Sequence, residues 1–157
     1  MPHIKVPDGL PGIVGLLAFK PSTGARLAAL MHEVLRGDGP LSPSDRELIA
    51  AYVSTLDTCQ PYDCAAAQGP EEELLDPRLR ALLRLAAVVV SGGSGVSDDL
   101  VAAVRAAGAG DEEIHDTVLL AATFCMVNRY VDGLAASTRE SSVDLAFSLV
   151  NRSDLAD

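Results

Sequence analysis

The stretch EEIHDTVLLAATFCMVNRYVDGLA, residues 112–135, predicts the longest helix of the chain. Its middle, TVLLAATFCMV, is apolar on nearly every side. A helix of that kind is enclosed by other helices or lies in a subunit interface. The stretch therefore predicts a protein built from packed helices, and it favours a homo-oligomer.

Further helices are predicted by apolar residues at helical spacing and by capping residues. Ser42 can cap a helix with Pro43 in its first position, and Ser97 can cap a helix over Asp98–Ala107. No segment alternates between apolar and polar residues for long enough to suggest a sheet, so we expect an all-α fold. The remaining predicted helices cover Ile13–Phe19, Thr23–Arg36 and Pro77–Val90, with short ones after the second cysteine and in the tail.

Length and composition fit a single domain with its own core. The chain has 157 residues, of which 48% are hydrophobic, so a core can form without disulfide bonds. We predict one domain over residues 1–157, with an irregular arm over 1–12 and a C-terminal tail over 136–157.

The net charge and the apolar runs restrict the partners and the location. A formal net charge of -10 argues against nucleic acid and against an anionic membrane surface, because both require clustered lysine and arginine. The longest mainly apolar run, residues 118–127, is too short to span a bilayer, and the first residues lack a signal-peptide pattern. A cytoplasmic protein is predicted. No cofactor is indicated, because the sequence has no phosphate-binding glycine loop and no convincing metal cluster.

Two of the three cysteines lie close together in TCQPYDCAAAQG, residues 58–69. On an unbroken helix, Cys59 and Cys64 would be separated by about 140° of rotation and about 7.5 Å of rise, which forbids a disulfide bond. Pro61 disfavours an unbroken helix there, so a turn can bring the sulfur atoms together. Three interpretations stay open: a reversible redox pair, two ordinary reduced thiols, or a metal site. Zinc would need two further ligands, which the neighbouring sequence does not offer.

Glu47 precedes Cys59 by twelve residues and lies early on a predicted helix. One interpretation is a capping box of Ser44 and Glu47, in which the carboxylate binds a backbone N–H group. A second is a solvated surface glutamate. The third is a buried general base whose carboxylate points toward the cysteine-containing turn.

Three segments carry a family resemblance: GLPGIVGLLAFKPSTGARLAAL at 9–30, LSPSDRELIAAYVSTLDTC at 41–59, and the long-helix stretch at 112–135. They resemble the carboxymuconolactone decarboxylase family and, more narrowly, its alkyl hydroperoxidase D-like, peroxidase-related branch. The resemblance implies an all-helical fold that assembles as a dimer, trimer or hexamer. It also implies that peroxide or a partner peroxiredoxin is the oxidant, and that a dithiol such as a lipoyl group restores the reduced state.

The redox branch of the family has a glutamate, eleven further residues, C-x-x-C, three residues and a histidine. Glu47 matches the glutamate and Cys59 matches the first cysteine. Cys64 matches the second cysteine only with two inserted residues, and Gln68 stands at the position of the histidine. The resemblance implies that these four residues form the catalytic group. Because glutamine cannot shuttle a proton at neutral pH, Gln68 would orient a water or a substrate carbonyl instead.

Further candidates lie on the long helix. His115, among acidic neighbours, is either a surface residue or a residue that faces the cysteine site in an oligomer. Asn128, Arg129 and Asp132 form either a structural hydrogen-bonded cluster or, through Arg129, a binding site for a substrate carboxylate. Cys125, in the apolar middle of the helix, is expected to be an inert buried thiol.

Three functions remain open. The first is a thiol–disulfide oxidoreductase or peroxidase that uses Cys59 and Cys64, with Glu47 as base and peroxide as substrate. The second is a non-redox enzyme on the same scaffold, which carries out proton transfer or decarboxylation on a small organic acid in specialised metabolism. In it Glu47 would be the base, and Gln68, His115 or Arg129 would hold the substrate. The third is a non-catalytic oligomer that binds a small molecule or another protein.

Overall fold

The computed structural model describes residues 2–10, 12–58 and 75–136, and these residues form six α-helices. The helices are α1 (Gly12–Phe19), α2 (Pro21–Arg36), α3 (Pro43–Thr58), α4 (Pro77–Gly92), α5 (Asp98–Ala106) and α6 (Asp111–Gly133). A short 3-10 turn, Gly93–Gly95, follows α4. No strand occurs in these three described ranges, so the predicted all-α fold is confirmed. None of the six helices combines the length and the apolar character needed to cross a membrane.

The helix starts follow from local chemistry, because the first N–H groups of a helix have no partner within it. The N–H of Asp45 donates to Ser42 Oγ at 3.1 Å, and an N–H in the first turn of α5 donates to Ser97 Oγ at 3.2 Å. These are the two caps that the sequence predicts. Asp76 caps α4 in the same way, since its carboxylate accepts from the N–H of Arg78 at 2.7 Å.

The C-terminal end of α6 lies two residues before the predicted end at Ala135. Ala135 adopts a left-handed conformation with a φ of 49°, which stops the helix. Its N–H donates to Asp132 O, and the N–H of Ala136 donates to Val131 O, so these helix carbonyls have partners. The apolar sequence continues past the helix, and the pattern alone therefore overestimates its length.

The chain divides into two compact units, one containing Met1–Gly37 with Met126–Asp157 and the other containing Asp38–Cys125. In the first unit α1 packs against α2. Gly24 permits their close approach, because a Cβ atom at this position would lie 2.8 Å from the carbonyl carbon of Leu17. The fully buried apolar side chains of this unit are Ile13, Leu16, Met31, Leu35 and Val127.

In the second unit α3 packs against α4, and α4 packs against α5. Each fully buried Leu, Ile, Val or Phe side chain contributes about 1.5–3 kcal/mol of hydrophobic stabilisation. The largest such side chains of this unit are Ile49, Val53, Leu82, Leu85, Val104, Leu120 and Phe124. Two of them, Ile49 and Val53, lie on α3, so one face of this helix is buried in the core and holds the helix in place.

One side of α6 is exposed, although its middle is apolar nearly all round. Leu119 is 39% exposed, Met126 is 43% exposed, and Ala122 between them is exposed as well. Spacings of three and four residues place these side chains on one side of the helix. Among the described residues, other helices therefore do not enclose α6 completely. The alternative expectation, that α6 lies in a subunit interface, stays a prediction.

Candidate functional site

Glu47 lies near the start of α3 and is half-buried. Ser42 caps this helix, and Ser44 lies inside it. Ser44 is therefore not the N-cap that a capping box with Glu47 requires. A surface glutamate and a partly buried general base remain as the two interpretations of this residue.

Arg78, in the first turn of α4, joins the starts of three helices. Its Nη1 donates to Glu113 Oε1 on α6, and its Nη2 donates to Asp45 Oδ2 on α3 at 3.3 Å. Its Nε lies 3.7 Å from the carboxylate of Asp76. Burial lowers the pKa of the Arg78 guanidinium, but the hydrogen bond with Glu113 and the neighbouring carboxylates outweigh burial and raise it. One forked cation thus holds the first turns of α3, α4 and α6 together.

Arg46 forms a second link between α3 and α6. Its side chain is only 5% exposed, and its Nη2 lies 3.4 Å from Asp116 Oδ2. Its Nε donates to the carbonyl oxygen of Leu41 at 3.1 Å. Gly39 leaves room for this arrangement, because a Cβ atom there would overlap the guanidinium and lie 2.9 Å from Asp116 Oδ2. Arg46 is therefore bound by Asp116 and by the carbonyl of Leu41, and the backbone at Gly39 lies close to its guanidinium.

His115 lies on the surface of α6, where its side chain is 72% exposed. Its Nδ1 lies 3.1 Å from Asp116 Oδ1, and the other carboxylate oxygen of Asp116 faces Arg46. The carboxylate thereby links a buried guanidinium to an exposed imidazole and orients the imidazole ring. The surface interpretation of His115 agrees with this position, and a contact with substrate stays a prediction.

The three polar residues of NRYVDG do not share one environment. Asn128 is 3% exposed, and its Nδ2 has no hydrogen-bond partner within the described part of the chain. Arg129 and Asp132 are exposed. Arg129 is thus accessible to a ligand, but its role in substrate binding stays a prediction. Cys125 is 5% exposed, as expected for an inert buried thiol.

Three of the predicted catalytic residues, Cys59, Cys64 and Gln68, lie outside the described residues. The redox pair and the substitution of the relay histidine therefore stay predictions. Of the predicted catalytic group, the structure describes Glu47.

The two arginine links were not predicted from the sequence, although a signal for them exists. A positive charge in the first turn of a helix is unfavourable, because the helix dipole is positive there. Arg46 and Arg78 both lie near the N-terminal end of a helix. Such arginines indicate carboxylate partners elsewhere in the fold, and the acidic first turn of α6, with Glu113, was available to supply one.

Two solved structures share this fold. An uncharacterized peroxidase-related protein from Silicibacter sp. TM1040 aligns with a TM-score of 0.72 and 20% identity, covering 87% of this chain and 91% of that one. The alkylhydroperoxidase AhpD core structure of an uncharacterized peroxidase-related protein from Ralstonia eutropha JMP134 aligns with a TM-score of 0.68 and 22% identity, covering 83% and 77%. The fold is therefore the alkyl hydroperoxidase D-like helical fold.

Part of the sequence also matches a family model. Residues 63–139 match the model of the carboxymuconolactone decarboxylase family. The match agrees with the family that the resemblance implies. A comparison with curated proteins finds no match.

Proposed function

We propose that the protein is a thiol–disulfide oxidoreductase of the peroxidase type. Cys59 and Cys64 form the redox pair, Glu47 is the base, and Gln68 supports the site at the position of the relay histidine. The peroxidase-related proteins that share the fold support this proposal. The observation that carries it is Glu47, a half-buried carboxylate near the start of α3 and twelve residues before Cys59 in the sequence.

The start of α4 lies beside the start of α3, because Arg78 donates to Asp45 at 3.3 Å. Helix α3 has 16 residues and is about 24 Å long. The chain leaves α3 at Thr58, at the C-terminal end, and enters α4 next to the N-terminal end of α3. Glu47 follows Asp45 by two residues and so belongs to the part of α3 that is linked to α4. A half-buried carboxylate in this position is a suitable base for a thiol.

The two thiols, the peroxide and a dithiol account for all bonds, electrons and protons of the proposed reaction, so it needs no cofactor. Glu47 takes the proton from one thiol, and the thiolate attacks an oxygen of the peroxide. The O–O bond breaks, an S–O bond forms, and the leaving oxygen takes up the proton as an alcohol or water. The second thiol then attacks the sulfenic acid, so that the S–S bond forms and water leaves with the thiol proton. A dithiol, such as a lipoyl group, reduces the disulfide and becomes a disulfide itself.

The test is a thiol count on the reduced protein before and after treatment with stoichiometric hydrogen peroxide. We expect two of the three thiols to be lost and then restored by a dithiol, while the buried Cys125 persists. Cys125→Ser is the matched control and should leave the loss of two thiols unchanged. Cys59→Ser or Cys64→Ser should abolish the disulfide, and Glu47→Gln should slow its formation on the order of 100-fold. Three thiols that persist in the wild-type protein would overturn the proposal.

The substrate contacts belong to the same proposal. His115 and Arg129 are exposed side chains that offer hydrogen-bond donors to a small substrate. The exposed side of α6, with Leu119 and Met126, supports assembly into a homo-oligomer. A cytoplasmic location belongs to the proposal because thiols are kept reduced in that compartment. Light scattering at micromolar concentration measures the assembly, and a monomeric mass would contradict it.

A non-redox enzyme on the same scaffold is the second candidate, and Gln68 is the observation that favours it. A glutamine in place of a proton-shuttling histidine fits a site that binds a substrate carbonyl better than a thiol relay. Glu47 would then abstract a proton from a small organic acid. The double variant Cys59→Ser/Cys64→Ser distinguishes the two functions, because only the non-redox activity survives it.

A further inference from the structure

We infer that Arg46 and Arg78 are positioning residues, which hold the first turns of α3 so that the carboxylate of Glu47 keeps one orientation. The inference rests on the proposed role of Glu47 as base. Asp45 and Arg46 directly precede Glu47 in the chain, and each of them is bound to another helix start. The structure therefore supplies a support for the base that does not itself touch a reactant.

The two links hold the first turn of α3 from two directions. Successive residues of a helix point about 100° apart, so Asp45 and Arg46 face different directions. Asp45 is bound to Arg78 on α4, and Arg46 is bound to Asp116 on α6. The buried apolar face of α3 holds the body of the helix, and the two links hold its first turn. Because the links run in different directions, they restrict the first turn, and the direction of the next residue, Glu47, follows from them.

Each link needs the forked shape of arginine. Arg78 uses Nη1 for Glu113 and Nη2 for Asp45, whereas Arg46 uses Nη2 for Asp116 and Nε for the backbone. A lysine keeps the charge but ends in a single ammonium group, which cannot reproduce both bonds of a fork. Lysine variants therefore separate the geometry of the links from their charge.

The carboxylate partners are themselves held in place, so the links are rigid. The second oxygen of Glu113 accepts from the N–H of Gly110 at 2.8 Å, and Glu113 is 12% exposed. Another ion pair in the same unit, Arg105 with Asp111 at 2.7 Å, differs because the two side chains are 57% and 82% exposed. Exposed pairs of this kind contribute little, because water competes for both charges. Arg105→Lys is therefore the matched control for the two lysine variants.

The experiment measures the rate of disulfide formation with hydrogen peroxide as a function of pH, together with the urea midpoint of each variant. We expect Arg78→Lys and Arg46→Lys each to slow the reaction at least about 10-fold, because a misplaced base loses proton-transfer efficiency. Their pH profiles should approach that of Glu47→Gln. Arg105→Lys should retain the wild-type rate and profile. If Arg46→Lys does not fold, Asp116→Asn interrupts the Arg46 link instead.

A double variant distinguishes positioning from a general loss of structure. If Arg78 acts through Glu47, then Glu47→Gln/Arg78→Lys should be no slower than Glu47→Gln alone. If the double variant is slower than Glu47→Gln, the inference is overturned while the proposed base stands. The same holds if both lysine variants react at the wild-type rate while Glu47→Gln is slow. A wild-type rate in Glu47→Gln would instead overturn the proposed role of the base.

Discussion

Replacing Gly24 with alanine should destabilise the first unit, although alanine is the better helix former. Gly24 lies inside α2 and is buried against the backbone of α1. A Cβ atom there would lie 2.8 Å and 2.9 Å from the carbonyl carbon and the Cα of Leu17. Carbon atoms pack favourably at about 3.5–4.0 Å, so α1 and α2 would have to separate by several tenths of an ångström.

The magnitude follows from two opposing terms. Alanine gains about 1 kcal/mol over glycine in a helix interior. Overpacking costs about 1–3 kcal/mol, and the upper end applies because the obstacle is backbone, which cannot rotate away as a side chain does. The free energy of unfolding should therefore fall by about 2 kcal/mol. For a chain of this length the melting temperature should fall by about 4–8 °C.

Urea and thermal denaturation, followed by far-UV circular dichroism, measure the effect. Gly133→Ala is the control, because no atom lies within 4 Å of a Cβ built at this last position of α6. The control should change the free energy of unfolding by no more than about 0.5 kcal/mol. If Gly24→Ala is as stable as the wild-type protein, or more stable, the close approach of α1 and α2 cannot be correct.

Two further substitutions test the helix start and the core of the second unit. Ser97→Ala removes the cap of α5 and should lower the free energy of unfolding by about 1 kcal/mol. The control Ser91→Ala, at an exposed helix position, should have a smaller effect. Equal effects of the two variants in urea denaturation would argue against the cap. Leu82→Ala, at a fully buried site, should lower the free energy of unfolding by about 2–5 kcal/mol. The control Leu30→Ala, at a site that is 37% exposed, should lower it by less than about 1 kcal/mol. A decrease under about 1 kcal/mol for Leu82→Ala would contradict the burial of Leu82.

The positions of the helices were largely predictable, because their signals are local. Ser42 and Ser97 cap the helices that they were expected to cap, since a serine side chain and the N–H group it binds are three residues apart. The end of α6 was not predictable to the residue. The left-handed conformation of Ala135 stops the helix, and alanine carries no sequence signal for that conformation.

The candidate site was only partly predictable. Glu47 could be singled out by its spacing to Cys59 and by the family pattern, whereas its support by Asp45 and Arg46 could not. The partners of these two residues, Arg78 and Asp116, are 33 and 70 positions away along the chain. No periodicity connects residues so far apart, because only the packing of helices brings them together.

The sequence by itself determined the all-α class and most helix boundaries, since apolar spacing and caps act over a few positions. Tertiary structure alone decided which charges meet. Arg46 and Arg78 stand at helix starts, where a positive charge is unfavourable, and become stable only because acidic residues of other helix starts are packed against them. The close approach of α1 and α2 at Gly24 has the same origin, because a missing Cβ has consequences only where another backbone occupies the space.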